Sequence, residues 1–186
     1  MAATVEYYDE LIDAIVVPES FSFLVVAGAS RDAVAHALEV DLHDPVAHPW
    51  DAKRDAEHAA WALVEIDGGV LGIEYSGCAD PGSDALTTMT TGGAAAAVVR
   101  TDDEEQHLRF GCARDAVLLF DAPDFRSVDD ADLVPRELRP LLAQGPDADG
   151  LALALAMTEV VTGLELTPKQ TMLFSTAQFF RGPPAR

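Results

Sequence analysis

Residues 62–75 read ALVEIDGGVLGIEY and form the clearest structural pattern in the chain. Two apolar runs, Ala62 to Ile66 and Val70 to Tyr75, flank the turn sequence Asp67-Gly68-Gly69. Glycine tolerates the positive φ angles that tight hairpin turns require, so this spacing predicts an antiparallel β-hairpin. A hairpin fits a parallel doubly wound sheet poorly and therefore favours an antiparallel sheet.

Four further apolar or alternating runs extend the pattern on both sides of this hairpin. They are Phe21 to Gly28, Ala94 to Arg100, Gln106 to Cys112 and Ala116 to Phe120. Short charged segments separate the last three runs, which predicts an antiparallel meander. We therefore expect an α+β fold in which an antiparallel sheet of about five or six strands packs helices mainly on one face.

Helical patterns lie before, between and after these runs. Residues 5–15 place apolar side chains on one helical face and carboxylates on the other. Asp149 is positioned to cap a helix that Gly163 ends, and Thr167-Pro168 begins a last helix that carries Phe179 and Phe180. These helices complete the α+β expectation.

Composition and charge limit the classes of function. With 186 residues, 49% of them hydrophobic, the chain is expected to form a single domain over residues 1–186. It has 12 basic and 32 acidic residues, a formal net charge of -20. Such a charge repels phosphate backbones and anionic lipids, so neither nucleic acid nor a membrane is expected as a partner. The acidity serves either solubility alone or the recognition of a basic partner.

The two cysteines and the N-terminal residues indicate a compartment. Cys78 and Cys112 form no CxxC pair, and residues 1–4 lack both a basic segment and an apolar run. No window has the 18 or so apolar residues that a membrane-spanning helix needs. We expect a cytoplasmic protein with reduced thiols that serve as buried apolar fillers.

The order of these elements resembles an uncharacterised domain family of actinobacteria over most of the chain. The resemblance is carried by the hairpin near Trp61, Tyr75-Ser76-Gly77, the helix after Pro81, the meander, Ala152 to Ala156, and Thr162 to Pro168. The chain departs from the family in the run Ala94 to Arg100, which has no aromatic and Asn-containing motif. The resemblance implies a fold and transfers no activity.

The segment from Asp41 to Ala59 lacks periodicity and predicts a long surface loop. It holds most of the enzyme-like side chains, namely His43, Asp44, His48, Asp51, Asp55 and His58. Imidazole and carboxylate groups are ordinary zinc ligands, which makes His43, His48, Asp51 and His58 the candidate metal ligands. Their spacing matches neither a zinc finger nor the helical His-Glu-x-x-His pattern, so a loop that packs Trp50 against the domain edge or against a partner is preferred.

Acidic runs provide the other candidate site. The expected partner-binding residues are Trp50, Asp102, Asp103, Glu104, Glu105, Asp129, Asp130 and Asp132. These carboxylates are suited to dock lysine or arginine side chains on another protein. They are less suited to acid catalysis, which needs a carboxyl group in an apolar pocket.

The sequence contains no nucleophile elbow, Walker loop or dinucleotide fingerprint, and no cofactor is expected. We therefore predict a non-catalytic acidic protein-binding or regulatory module, in its most concrete form an immunity-like protein or an inhibitor of a basic partner. The alternative is a small metal-dependent or His/Asp hydrolase that uses the 43–58 loop. A homo-oligomer that buries Phe179 and Phe180 at a subunit interface is the third hypothesis.

Overall fold

Eight antiparallel strands form one sheet in the computed structural model, which describes residues 4–13, 20–49, 57–102, 107–128, 130, 132–144 and 148–184. The strands are β1 (Phe21–Ala27), β2 (Asp41–Val46), β3 (Ala59–Ile66), β4 (Gly69–Glu74), β5 (Ala95–Asp102), β6 (His107–Arg114), β7 (Val117–Ala122) and β8 (Phe179–Gly182). Their order is β2-β8-β3-β4-β1-β5-β6-β7.

The predicted hairpin is present and is made by β3 and β4. Ile66 pairs with Gly69, and Gly68 in the turn has a φ angle of 85°. β4 then pairs with the central strand β1, which pairs with β5 on its other side. The antiparallel sheet and the α+β class predicted from the sequence are therefore confirmed.

Helices lie on both faces of the sheet, whereas the sequence pattern predicted them mainly on one face. The described residues include six α-helices, namely α1 (Val5–Asp13), α2 (Arg31–Ala37), α3 (Ser83–Met89), α4 (Arg139–Leu142), α5 (Gly150–Thr162) and α6 (Pro168–Thr171). The two longest, α1 and α5, pack on the face that carries Phe23 and Val25. The shorter helices α2 and α3 cover the opposite face, which carries Leu24 and Val26. Alternate residues of each buried strand thus contribute to two separate cores.

The sheet has eight strands, so the prediction of five or six strands was wrong. The two strands that the sequence pattern missed are β2 and β8, which pair with each other. The sequence pattern predicts a loop for Asp41–Val46 because this segment contains Pro45 and three polar side chains. Proline is tolerated there because β2 is an edge strand, where an amide donor is not needed on the solvent side.

The prediction of a last helix that begins at Thr167-Pro168 and carries Phe179 and Phe180 is also wrong beyond its first turn. After α6 the chain forms a 3-10 helix, Met172–Thr176, and then enters the short strand β8. Phe179 is buried in the core beneath α1 and α5, and Phe180 is buried in the opposite core beside Trp61. Neither ring is available to a subunit interface, so that placement of an oligomer contact is overturned.

Helix α5 is the central helix of its face. Asp149 accepts a hydrogen bond from the Ala152 amide at 2.9 Å, and Gly163 ends the helix in a left-handed conformation with φ of 72°. Both features agree with the sequence prediction. Within the part of the chain that the structure describes, no helix is long and apolar enough to cross a membrane.

Candidate functional site

The structure separates the histidines of the central segment. His43 is exposed on the edge strand β2, and His48 is exposed just beyond it, whereas His58 is 6% exposed at the start of β3. Trp50, Asp51 and Asp55 lie outside the described residues. Among the residues that are described, no three His, Cys, Asp or Glu side chains are grouped closely enough to hold a metal ion.

His58 is nevertheless an unusual residue. Neither of its ring nitrogens has a hydrogen-bond partner among the described residues, although both are shielded from solvent. Buried polar atoms are normally paired, and an unpaired one costs about 1–3 kcal/mol. The sequence pattern placed His58 in a loop as a candidate metal ligand, whereas the structure places it directly before the buried strand β3.

The predicted acidic sites are only partly described. Asp102 ends β5, while Asp103, Glu104, Glu105 and Asp129 lie outside the described residues. Asp130 and Asp132 are exposed, and the Asp132 side chain is 95% accessible, with its carboxylate 3.7 Å from Arg139. Asp130 and Asp132 therefore form an exposed acidic turn, as their sequence pattern predicted.

A second acidic surface lies on helix α1. Its exposed side carries Glu6, Asp9, Glu10 and Asp13, and its buried side carries Val5, Tyr8 and Leu11. No basic residue lies on this helix. The sequence pattern predicted the helix and its two faces but did not mark the carboxylate face as a site. We call the four exposed side chains the α1 acidic face.

Two tyrosines on the buried side of α1 fix the position of this face. The Tyr8 hydroxyl donates to the Glu159 carboxylate on α5 at 2.7 Å, and the Tyr7 hydroxyl donates to the Leu166 carbonyl at 2.7 Å. Burial and the neighbouring carboxylate of Glu159 raise the pKa of Tyr8 well above its usual value. The hydroxyl therefore stays protonated and keeps donating, which holds α1 against α5.

The opposite face of the sheet carries a row of polar side chains. Ser22 on β1 lies opposite both Glu74 on β4 and Arg100 on β5, and Arg100 lies opposite Arg109 on β6. Trp61 on β3 continues the row on the other side of Glu74. Residues 75–82, which connect β4 to α3, are bonded to this row at several points, and we call them the strap.

Carboxylates neutralise the two arginines of the row. Arg109 donates from Nε to Asp121 at 2.9 Å and from Nη2 to the same carboxylate at 3.0 Å, and its Nη1 contacts Asp80 of the strap. Asp80 also forms an ion pair with Arg100, with 3.3 Å between the guanidinium nitrogen and the carboxylate oxygen. Ser83 donates to Asp121 at 2.8 Å. Two like charges that would repel across adjacent strands are thus bridged by one aspartate.

Glu74 differs from these carboxylates because it is fully buried and has no cationic partner among the described residues. Its Oε1 accepts from the Ser76 amide at 2.8 Å, from the Ala60 amide at 3.4 Å and, in a close contact, from the Ser76 hydroxyl. Its Oε2 is buried and has no hydrogen-bond partner in the described part of the chain. Burial raises the pKa of Glu74, and the hydrogen bonds from Ser76 and the amides of Ala60 and Ala79 only partly oppose that shift.

Sequence reasoning missed this polar row, although one indication was present. In VLGIEY, Glu74 has the same strand parity as Val70 and Gly72, so a period of two places it on the face of a buried residue. An acidic residue at an inward position of a buried strand is informative because carboxylates are rarely buried. The partners Arg100, Arg109, Asp80 and Asp121 are distant in sequence and gave no local pattern.

The two thiols have different environments. Cys112 is fully buried in β6, and burial raises the pKa of its thiol to about 12. Cys78 is half-buried on the strap, and its amide donates to the Ser76 hydroxyl at 3.2 Å. The predicted role of a buried apolar filler is confirmed for Cys112, whereas Cys78 is more accessible than expected.

Comparison of the chain with protein-family models, with curated proteins and with solved structures gave no match.

Proposed function

We propose that the chain is a non-catalytic acidic module that binds the basic surface of a partner protein, in the manner of an immunity protein or an inhibitor, in the cytoplasm. The observation that carries this proposal is the α1 acidic face. Glu6, Asp9, Glu10 and Asp13 present four carboxylates from nine residues of one helix that has no basic side chain. Complementary charge speeds and orients the encounter of two proteins.

The distribution of arginines supports the same proposal. Arg100, Arg109, Arg114, Arg139 and Arg181 each lie within 4.0 Å of a carboxylate of their own chain. With 32 acidic residues against 12 basic ones, most carboxylates have no basic residue to pair with. The excess negative charge is therefore available to another protein.

The acidic turn around Asp130 and Asp132 is a second exposed group of carboxylates. The sequence-predicted residues Trp50, Asp102, Asp103, Glu104, Glu105 and Asp129 belong to the same proposal. An interface that combines an aromatic side chain with carboxylates suits a partner with an apolar contact enclosed by basic side chains. We propose the α1 acidic face as the main contact and these runs as flanking contacts.

The test compares two charge-neutralised variants that differ only in where the charge is removed. One changes Glu6→Gln, Asp9→Asn, Glu10→Gln and Asp13→Asn, and the control changes Asp32→Asn, Glu39→Gln, Glu65→Gln and Asp67→Asn, which are also exposed. Each tagged protein is titrated against defined basic proteins and used to capture partners from lysate. We expect the first variant to lose binding at least tenfold more than the control does.

Ionic strength provides the second arm of this test. Electrostatic association weakens as salt shortens the screening length from about 10 Å at 0.1 M to about 3 Å at 1 M. We expect a captured partner to be released between these concentrations. Equal loss from both variants, or capture that is indifferent to salt, would refute a specific role of the α1 acidic face.

A small metal-dependent or His/Asp hydrolase that uses residues 43–58 is the second candidate. The unpaired imidazole of His58 favours it, because a neutral imidazole in need of a partner is a suitable metal ligand. Elemental analysis of the purified protein, with and without His58→Ala, tests it. Stoichiometric zinc that His58→Ala abolishes would support the hydrolase, and metal-free protein that is not stabilised by added zinc would exclude it.

A further inference from the structure

The strap, residues 75–82, is fastened to the sheet by side chains of three strands. Ser22 on β1 donates to the Ala79 carbonyl at 2.7 Å, and Arg109 on β6 donates to the Pro81 carbonyl at 3.1 Å. Arg100 on β5 reaches the Gly77 carbonyl at 3.5 Å. These tethers hold the strap over the polar row without any β-ladder of its own.

Glu74 is the remaining tether and the one with an unfavourable environment. Its Oε1 accepts hydrogen bonds from the Ser76 amide and hydroxyl of the strap, whereas its Oε2 is buried and has no hydrogen-bond partner among the described residues. A buried carboxylate without a cation is strongly disfavoured, whereas burial of the neutral acid in the same surroundings costs much less free energy. The closed strap therefore fits a protonated Glu74.

We propose that the strap is a pH-dependent latch, closed when Glu74 carries a proton and released when Glu74 loses it. Release gives the Oε2 atom access to water, which is what an ionised carboxylate requires. The flanking strands cannot provide this access, because β1 and β3 are fixed by ladders on both of their sides. The strap is the element that can move away from the carboxyl group.

Among the described residues, no cation lies next to Glu74 to stabilise its ionised form. Ser22 and Trp61 flank it on β1 and β3, and neither side chain ionises near neutral pH. Arg100 and Arg109 are the next charged groups on that face, and both are engaged with Asp80. Helix α2 contributes Arg31, whose guanidinium lies 4.9 Å above the Phe180 ring on β8.

The direction of the effect follows from linkage. Burial raises the pKa of Glu74 in the closed state above the value it has when hydrated. The closed state therefore binds more protons than the open state, and its advantage is fully present at low pH. That advantage is lost as the pH rises through the closed-state pKa, so alkaline conditions open the strap.

Hydrogen exchange on the intact protein tests the latch. Protection factors of the Ser76 and Cys78 amides are measured between roughly pH 5 and pH 9 for wild type, Glu74→Gln and Ser22→Ala, with intrinsic rates removed. We expect the protection factors of the wild type to fall by about tenfold or more as the pH rises, because ionisation of Glu74 favours the open strap. We expect them to be independent of pH in Glu74→Gln.

Ser22→Ala is the matched control because it removes a tether to the strap and leaves the carboxyl group in place. It lowers protection at every pH but keeps the dependence on pH. Strap protection that is constant with pH in wild type, or that falls equally in Glu74→Gln, would overturn the latch. A fall shared by the ladder amides of β1 and β4 would overturn it as well, since it would mean global unfolding. If Glu74→Gln fails to fold, wild type and Ser22→Ala decide the question.

Discussion

The turn between β6 and β7 is made by two residues with unusual backbone angles. Asp115 and Ala116 have φ angles of 52° and 59°, a region that glycine occupies readily and alanine does not. The turn is held in place because the Asp115 amide donates to the Ala94 carbonyl at 3.1 Å and the Ala116 amide donates to the Thr90 carbonyl at 3.2 Å. The surrounding contacts thus impose a conformation that the side chain of Ala116 disfavours.

Replacing this alanine with glycine should stabilise the protein. The left-handed conformation costs a residue with a Cβ atom about 1–2 kcal/mol, while glycine loses about 0.5–1 kcal/mol of chain entropy. We expect Ala116→Gly to raise the free energy of unfolding by about 0.5–1 kcal/mol in urea titrations. Ala33→Gly on the exposed side of α2 is the control and should lower it by a similar amount. Equal losses in both variants would show that Ala116 is not strained.

Replacing glycine with alanine at position 69, where β4 begins, is expected to destabilise the protein strongly. A Cβ atom on Gly69 would lie 2.1 Å from the Val26 carbonyl oxygen, which is part of the central strand. We expect Gly69→Ala to cost about 3 kcal/mol or more, because backbone atoms must shift to accept it. Gly82→Ala, with nothing within 4 Å of the added atom, should be close to neutral in the same thermal melts. Melting temperatures close to that of the wild type in both variants would contradict the close approach of Gly69 to Val26.

At the scale of elements, the sequence predicts those whose pattern is local and long. The hairpin of β3 and β4 and the helix α5 are found with their turn and caps in place, because Gly68, Asp149 and Gly163 satisfy local backbone needs. β2 and β8 were missed because their strand character depends on each other. Asp41 pairs with Arg181 and Pro45 with Phe180, contacts between distant segments that no periodicity records. The polar row that contains Glu74 was missed for the same reason, since its other members come from other strands.

Helix α5 should be sensitive to its N-cap. Asp149 accepts the Ala152 amide and starts a helix that is almost entirely buried. We expect Asp149→Ala to lower the free energy of unfolding by about 1 kcal/mol, and Asp149→Asn to retain nearly all of it. Guanidinium titrations of the three proteins measure both values. A large loss in Asp149→Asn would show that the charge rather than the hydrogen bond is responsible.

The edge strand β7 exposes more apolar surface than the other edge. Val117 is 57% exposed and Leu118 is 39% exposed, whereas β2 is protected by Pro45 and by carboxylates. A register shift between Cys112 and Ala113 makes the β7 edge irregular, which disfavours pairing with a strand of another molecule. We therefore expect self-association through this edge to be weak. Val117→Lys should reduce self-association in sedimentation experiments at high concentration, with stability changed by about 0.5 kcal/mol or less. Leu133→Lys, which lies off the sheet, should leave association unchanged.

At the scale of the whole molecule, the net charge of -20 opposes the compact state through self-repulsion. Added salt screens this repulsion more than it weakens the half-buried ion pairs of Arg109. The intact fold should therefore be more stable at high ionic strength even though partner binding is weaker. These opposite responses distinguish the two effects of one charge distribution.

We expect the melting temperature to rise by a few degrees between 0.05 M and 0.5 M sodium chloride, corresponding to about 1 kcal/mol. The rise should shrink as the pH is lowered toward 5, because carboxylates take up protons and the repulsion falls. Differential scanning calorimetry at several pH values measures it. A melting temperature that decreases with salt at neutral pH would show that ion pairs outweigh self-repulsion.

The position of β8 between β2 and β3 has a consequence for biosynthesis. Val46 leaves the ribosome roughly 130 positions before Phe179, the residue it pairs with, which at about 5–20 residues per second is a delay of order ten seconds. During that interval the edge of β3 is open, and the aromatic rings that will cover it have not yet been translated. Nascent chains of this protein are therefore expected to depend on ribosome-associated chaperones until the last strand inserts.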